Sequence, residues 1–91
     1  MNFNVIKNIQ FTRLAKATGR LREFNFRRIA GAAEETFHVD VSDDRGNRII
    51  FKMQKHDGTN WKIINTGLPE WIYETEKQLN DLIEEELSNQ I

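Results

Sequence analysis

The 91-residue chain contains no cysteine, a single proline and no long apolar run. The lack of cysteine excludes disulfide bonds, thiolate metal sites and cysteine nucleophiles, and it favours a reducing compartment. Polar residues interrupt the first twenty positions, so we expect neither a signal peptide nor a membrane span. No repeat, linker or low-complexity tract divides the sequence. We therefore predict a cytoplasmic protein that forms one domain over residues 1–91.

The net charge is only −1, but the charged residues are sorted along the chain. Residues 1–33 carry seven basic side chains and one acidic side chain, a net charge of +6. Residues 69–91 carry seven acidic side chains and one basic side chain, a net charge of −6. Such asymmetry is typical of chains that bind nucleic acid or another partner, and it is the first functional signal in the sequence.

Apolar and polar residues alternate with period two in four segments, which predicts four β-strands. The strands are expected at about 20–30, 34–42, 47–56 and 59–65. Glycine occurs in each intervening segment and favours tight turns, so the strands should form an antiparallel meander. Upstream, residues 1–18 suit a strand and a short helix about equally well, and both alternatives stay open.

Turn lengths set the expected register of this meander. We predict three-residue loops that end in Gly46 and Gly58, and a two-residue turn at Gly31-Ala32, because glycine favours the backbone conformations of these turns. The cross-strand pairs that follow are Phe26–Phe37, Val41–Ile49 and Met53–Trp61. In this register one face of the sheet holds all the strand aromatics, which are Phe24, Phe26, Phe37, Phe51 and Trp61. Such a face needs an apolar cover.

The C-terminal segment can supply that cover. Apolar residues follow Pro69 at spacings of three and four, which predicts an amphipathic helix of about 20 residues. The predicted fold is therefore α+β: a four-stranded antiparallel β-meander with one face covered by a long C-terminal helix. Glu84, Glu85 and Glu86 lie at the helix C-terminus, where negative charge is unfavourable. We expect these glutamates to pair with Arg28 and with the basic N-terminal segment.

The uncovered face of the sheet is the expected functional surface. This arrangement of four strands and one helix resembles, in topology, the whirly-type and Pur-type families of single-strand nucleic-acid-binding proteins. The resemblance implies a platform for DNA or RNA that is commonly dimeric. This chain differs in one respect, because all its strand aromatics fall on the covered face and bases would have no ring on which to stack.

Two functions follow from this surface. The leading hypothesis is a protein-interaction module that associates with itself or with a partner protein, because exposed aliphatic side chains favour a cover. The alternative is a single-strand nucleic-acid binder that uses the outer face and the basic N-terminal segment. The candidate contact residues are Arg13, Lys16, Arg20, Arg27, His38, Ile50, Lys52, Lys62, Ile64 and Trp71. We expect no enzymatic activity, cofactor or metal, because metal sites and general bases need converging groups, and the predicted sheet places His38 far from the turn that contains His56.

Several of these residues also have a purely structural interpretation. Arginines on the first predicted strand protect a sheet edge against pairing with other chains, or they contact phosphates. Those arginines are Arg20, Arg22, Arg27 and Arg28. The N-terminal segment is itself a candidate cover for the outer face, through Phe3, Val5, Ile9 and Phe11. Trp71 and Tyr73, at the start of the helix, either pack in the core or form a contact site at the helix entrance.

Overall fold

The computed structural model describes residues 9–30, 34–56, 58 and 60–89. Five antiparallel strands form one sheet in chain order: β1 (Gln10–Ala17), β2 (Arg20–Ile29), β3 (Thr36–Ser42), β4 (Arg48–His56) and β5 (Asn60–Ile63). Two helices follow, α1 (Glu70–Tyr73) and α2 (Glu76–Ser88). The predicted α+β meander with a C-terminal helix is confirmed, but the sheet has five strands rather than four.

The additional strand is β1, within the segment for which strand and helix were both left open. Thr18 and Gly19 form a two-residue hairpin turn between Ala17 and Arg20, with φ values of 52° and 77°. Positive φ at both central positions is the geometry of a type I′ turn, whose twist matches that of the flanking strands. Because β1 occupies the sheet edge, β2 is an interior strand. The interpretation of the β2 arginines as edge protection is therefore wrong.

The alternation assigned side chains to the correct faces, but the predicted register holds only for the β3–β4 hairpin. Val41 lies opposite Ile49, as predicted. Phe26 lies opposite Val39 rather than Phe37. In the β4–β5 hairpin, Met53 lies opposite Ile63 rather than Trp61. Each error is a shift of two residues, which keeps every side chain on its face, so the hydrophobic pattern does not distinguish the two registers.

The loops between the strands explain why the register was predicted correctly for the β3–β4 hairpin but not for the hairpin after it. The backbone N–H of Asp43 donates to the carbonyl of Asn47 at 2.9 Å and closes a three-residue loop that ends in Gly46, as expected. Gly46 has a φ of 81°, in the left-handed region. In the next hairpin His56 pairs with Asn60, so the connection spans 57–59 rather than 56–58. The predicted turn residues Gly31 and Ala32 lie outside the described residues.

The core lies between the covered face of the sheet and the helices. Thirteen buried apolar residues form it: Ala15, Ala17, Phe24, Phe26, Phe37, Val39, Val41, Phe51, Met53, Trp61, Ile72, Leu79 and Ile83. Phe11 stacks on Phe26 with ring centroids 4.6 Å apart. Ile9 and Phe11 pack against this core, so the prediction that they cover the outer face is wrong. Phe3 and Val5 lie outside the described residues.

The predicted long helix is divided in two at Glu74 and Thr75. Thr75 is buried, and its hydroxyl donates to the carbonyl of Ile72 at 2.6 Å. A side-chain bond to a backbone carbonyl competes with the regular helical ladder, which accounts for the interruption. Ile72 before the break and Leu79 after it are fully buried, so both helices contribute to the core.

Helix α2 lies against both edge strands of the curled sheet. The Gln78 carboxamide bonds both backbone groups of Lys16 in β1, at 2.9 Å to the N–H and 2.7 Å to the carbonyl. On the other side, Asn80 accepts the N–H of Trp61 at 2.8 Å. Glu76 accepts the N–H of Ile63 at 2.9 Å. These side chains satisfy strand groups that no neighbouring strand can reach.

The acidic end of α2 meets basic residues, but only some of those predicted. Arg13 on β1 contacts both Glu85 and Glu86, the latter at 3.3 Å. The hydrogen bond to Glu85 is the main cause of a raised pKa for Arg13. Glu84 accepts the indole N–H of Trp61 at 2.8 Å and lies 3.6 Å from the Lys55 ammonium.

The predicted pairing with the N-terminal segment is thus confirmed through Arg13, and the pairing with Arg28 is wrong. Arg28 instead lies 3.6 Å from Glu35, in the connection between β2 and β3.

Candidate binding surface on the outer sheet face

The outer face is the side of the sheet that points away from the core. Three cross-strand rows cross it: Gln10–Arg27–His38–Lys52, Thr12–Asn25–Asp40–Ile50 and Ile29–Thr36–Gln54–Lys62. The N–H of Ile64 donates to the carbonyl of Lys52 at 3.0 Å, which places Ile64 at the end of the first row. In the observed register, the first row therefore joins Arg27 to His38 and Lys52.

An open groove of ≈ 610 Å³ crosses this face. Strands β1 to β4 all contribute to its lining, which includes Gln10, Thr12, Arg27, His38, Arg48 and Ile50. Binding sites are generally concave and combine apolar side chains with polar groups that fix the orientation of the ligand. The groove is therefore the natural centre of a contact surface.

A line of hydrogen-bonded side chains crosses the groove from β1 to β4. The Thr12 hydroxyl donates to Asn25 Oδ1 at 2.6 Å. The Asn25 amide donates to Asp40 Oδ1 at 2.9 Å, and Arg48 Nη1 lies 3.6 Å from the same oxygen. Each of these contacts restricts the rotation of the side chains that it joins. The polar part of the surface is therefore ordered before any partner binds.

The first row is basic. Arg27 Nη2 lies 3.2 Å from His38 Nδ1, and because a guanidinium can only donate, Nδ1 acts as the acceptor in this hydrogen bond. Among the described residues, neither Arg27 nor Lys52 forms an ion pair with a carboxylate. Lys62 differs, because it lies 3.7 Å from Glu76. The row therefore presents two positive charges without an internal counter-charge.

Exposed aliphatic side chains lie at one end of the basic row and along one side of it. Ile50 is 51% exposed and Ile64 is 39% exposed. Leu14 on β1 and Leu21 on β2 are also exposed. Burial of such a side chain contributes about 1.5–3 kcal/mol, so these residues are the main source of hydrophobic binding energy on this face.

Six of the ten candidate residues come together on the outer face: Arg27, His38, Ile50, Lys52, Lys62 and Ile64. Lys16 lies at the β1 edge, opposite Leu21. Arg13 and Arg20 do not join the surface. Arg13 pairs with α2 and Arg20 lies 3.4 Å from Asp44, so both of these predicted contact residues are engaged within the fold.

Trp71 is separated from this surface and takes part in the packing around Arg22. It is partly buried, and the Arg22 guanidinium lies 5.0 Å from the centre of its ring. The Tyr73 hydroxyl donates to the carbonyl of Asn65 at 2.8 Å and accepts the N–H of Leu68. Both side chains at the helix entrance are therefore engaged within the fold.

Sequence reasoning did not identify the polar line through Thr12, Asn25, Asp40 and Arg48. The missing step was the placement of β1, without which Thr12 has no known neighbour. One signal was available, because Thr18-Gly19 stands between two alternating segments at the two-residue spacing of a hairpin. That signal places β1 beside β2 and Thr12 opposite Asn25.

Within the described residues, no group of three or more His, Cys, Asp or Glu side chains is placed to hold a metal ion. No helix there is long and apolar enough to cross a membrane. Comparisons of the chain with protein-family models, with curated proteins and with solved structures find no match.

Proposed function

We propose that the protein is a non-catalytic, cytoplasmic interaction module whose outer sheet face binds an acidic, partly apolar segment of a partner protein. One observation carries the proposal: among the described residues Arg27 and Lys52 have no counter-charge, and both lie in a row that ends at the exposed side chain of Ile64. A carboxylate on the partner would neutralise the charge of Arg27 or Lys52, and an aliphatic side chain beside it would cover Ile50 or Ile64.

The two kinds of contact have different roles. Exposed ion pairs contribute only about 0–1 kcal/mol each, so Arg27 and Lys52 mainly select and orient the partner. Burial of Ile50 and Ile64 supplies the larger share of the affinity, at about 1.5–3 kcal/mol for each side chain. The ordered polar line beside them reduces the entropy that is lost on binding.

A single-stranded nucleic acid is the second candidate partner, and the row of Arg27, His38 and Lys52 favours it because phosphates are also anionic. Two features favour a protein partner. The aromatic rings of the described strands lie on the covered face and do not serve as stacking platforms. The exposed side chains of Ile50 and Ile64 favour an apolar cover, which aliphatic side chains of a protein segment supply and a phosphate chain does not.

A titration with three labelled probes tests the proposal and separates the two partners. The probes are a peptide of alternating Glu and Leu, the matched peptide of alternating Lys and Leu, and a single-stranded oligodeoxythymidine. We expect the acidic peptide to bind with a dissociation constant on the order of 100 μM and the basic peptide to bind much more weakly. Tighter binding of the oligonucleotide, or equal binding of both peptides, would contradict the proposal.

Variants assign the binding to the outer face. Lys52→Glu should weaken binding of the acidic peptide about tenfold, because it replaces an attraction by a repulsion. Ile50→Ser should weaken it to a similar extent while leaving the folded state unchanged, since Ile50 is exposed. Lys77→Glu is the matched control: its side chain is 88% exposed on α2, away from the outer face, so this variant should bind normally.

A further inference from the structure

The hydrogen-bonding pattern of β1 leaves one stretch of backbone open. The carbonyl of Ile9 accepts the N–H of Arg28 at 2.9 Å. This bond shows which residues of β1 direct their backbone groups toward β2 and which direct them away. In an antiparallel pair, residues that bond the neighbouring strand alternate with residues whose N–H and C=O point away from it. The backbone groups of Gln10, Thr12, Leu14 and Lys16 therefore point outward from the sheet.

Other outward-pointing groups on the sheet edges have partners on α2. Gln78 bonds both groups of Lys16, and Asn80 and Glu76 accept the outward N–H groups of Trp61 and Ile63. No such partner exists for Gln10, Thr12 or Leu14 among the described residues.

On the covered face, Arg13 in the middle of β1 pairs with Glu85 and Glu86 of α2. Within the part of the chain that the structure describes, α2 thus protects the sheet edges at three positions and no residue covers Gln10–Leu14. An open edge strand is a template for another strand.

We propose that two copies of this chain pair in antiparallel fashion through this open edge, from Gln10 to Leu14. In the register centred on Thr12, this residue faces Thr12 of the partner subunit and Gln10 faces the partner's Leu14. The outward N–H and C=O groups of Gln10, Thr12 and Leu14 then all form hydrogen bonds with the second copy, and Lys16 keeps its bonds to Gln78. A register shifted by two residues would leave part of the open stretch unpaired or would compete with Gln78.

The side chains of this stretch suit a second copy. Gln10, Thr12 and Leu14 carry no charge on the outer face, so the two-fold register opposes no like charges. Leu14 is 54% exposed and would be partly covered by the partner's Gln10. Gln10 and Thr12 also line the groove, so pairing would bring two grooves side by side. The inference stands independently of the proposed function, because it depends on the edge and not on the basic row.

Sedimentation velocity of the full chain tests the pairing, over concentrations from about 10 μM to about 1 mM, where small interfaces dissociate. We expect a monomer–dimer equilibrium in this range. Thr12→Pro should raise the dissociation constant at least about tenfold, because it removes one outward N–H from each copy. Thr12→Val, which keeps that N–H and loses the same hydroxyl, is the matched control and should dimerise normally.

Amide hydrogen exchange of the unmodified chain provides a readout that does not depend on the variants. The Thr12 and Leu14 amides should become protected as the concentration rises, with the same midpoint as the dimer. Fast exchange of both amides at all concentrations, together with a strict monomer, would overturn the proposal. Protection at all concentrations in a monomer would also overturn it, because another part of the same chain would then occupy the edge.

Discussion

The side chain of Gln78 continues the sheet beyond its edge at Lys16. Its amide accepts the Lys16 N–H at 2.9 Å and donates to the Lys16 carbonyl at 2.7 Å, so one side chain replaces one residue of a neighbouring strand. The same helix satisfies β5 through Asn80 and Glu76. Helix α2 therefore covers the apolar face and also closes parts of both edges.

Gln78→Ala tests this role. We expect the free energy of unfolding to fall by about 0.5–1.5 kcal/mol, because two hydrogen bonds are lost and water can replace them at an exposed edge. Exchange of the Lys16 amide should become faster. Lys77→Ala, at the neighbouring exposed position, should change stability by less than about 0.5 kcal/mol. Urea unfolding measures both variants, and equal effects would contradict the role of Gln78.

Arg22 is a second structural centre. Its guanidinium is buried, bonds the Thr18 hydroxyl at 2.6 Å and Asp44 at 2.9 Å, and lies over the ring of Trp71. Arg22→Ala should therefore lower the unfolding free energy by about 2–4 kcal/mol, through lost packing and unpaired neighbours. Arg20→Ala is the matched control, since Arg20 is exposed and also contacts Asp44. Its effect should stay within about 0.5 kcal/mol, and a comparable loss in thermal unfolding would contradict the assignment.

The acidic end of α2 gives an electrostatic prediction. Arg13→Glu should destabilise the protein by about 1–2 kcal/mol at low ionic strength, because it places a third carboxylate beside Glu85 and Glu86. Among the described residues Arg28 forms an ion pair with one carboxylate, that of Glu35, so Arg28→Glu should have a smaller effect. In about 1 M salt the two variants should converge, because the screening length falls to about 3 Å. A larger effect of Arg28→Glu in urea unfolding would contradict the observed pairing.

The β3–β4 turn makes a pH-dependent contribution to the free energy of unfolding. The pKa of Asp43 lies below its usual value, first because its carboxylate accepts the N–H of Asn47 and then because it accepts the N–H of Arg45. A lowered pKa stabilises the folded state above the unfolded value of about 3.9, and this contribution is lost as the pH falls through the lower folded value.

The difference in unfolding free energy between the unmodified chain and Asp43→Asn should therefore be constant near neutral pH. It should shrink below about pH 4. A difference that does not depend on pH, measured by urea unfolding at several pH values, would show that the Asp43 carboxylate does not stabilise the turn through its charge.

Much of the fold is predictable from the sequence because the local signals agree with the tertiary structure. Alternation placed the core aromatics on one face, and Gly46 fixed the β3–β4 register. The registers of the other two predicted hairpins were wrong because a shift of two residues conserves the face of every side chain.

The candidate site was only partly predictable, since it depends on those registers. The predicted pair Phe26–Phe37 would place Arg27 opposite Thr36, yet Arg27 lies opposite His38. The partners of Arg13 and Arg20 depend on contacts with residues far away in the sequence, α2 and Asp44. The sorted charges along the chain are therefore partly neutralised inside the fold, while Arg27 and Lys52 on the outer face have no carboxylate partner among the described residues.

The most direct test of the proposed function is chemical-shift mapping on the ¹⁵N-labelled protein during titration with the alternating Glu and Leu peptide. The perturbed amides should cluster at Arg27, His38, Ile50, Lys52 and Ile64. Lys52→Glu should require about tenfold more peptide for the same changes, while Lys77→Glu should leave the titration unchanged. Perturbations confined to the helices, or none up to about 1 mM peptide, would contradict the assignment of the outer sheet face as a protein-binding surface.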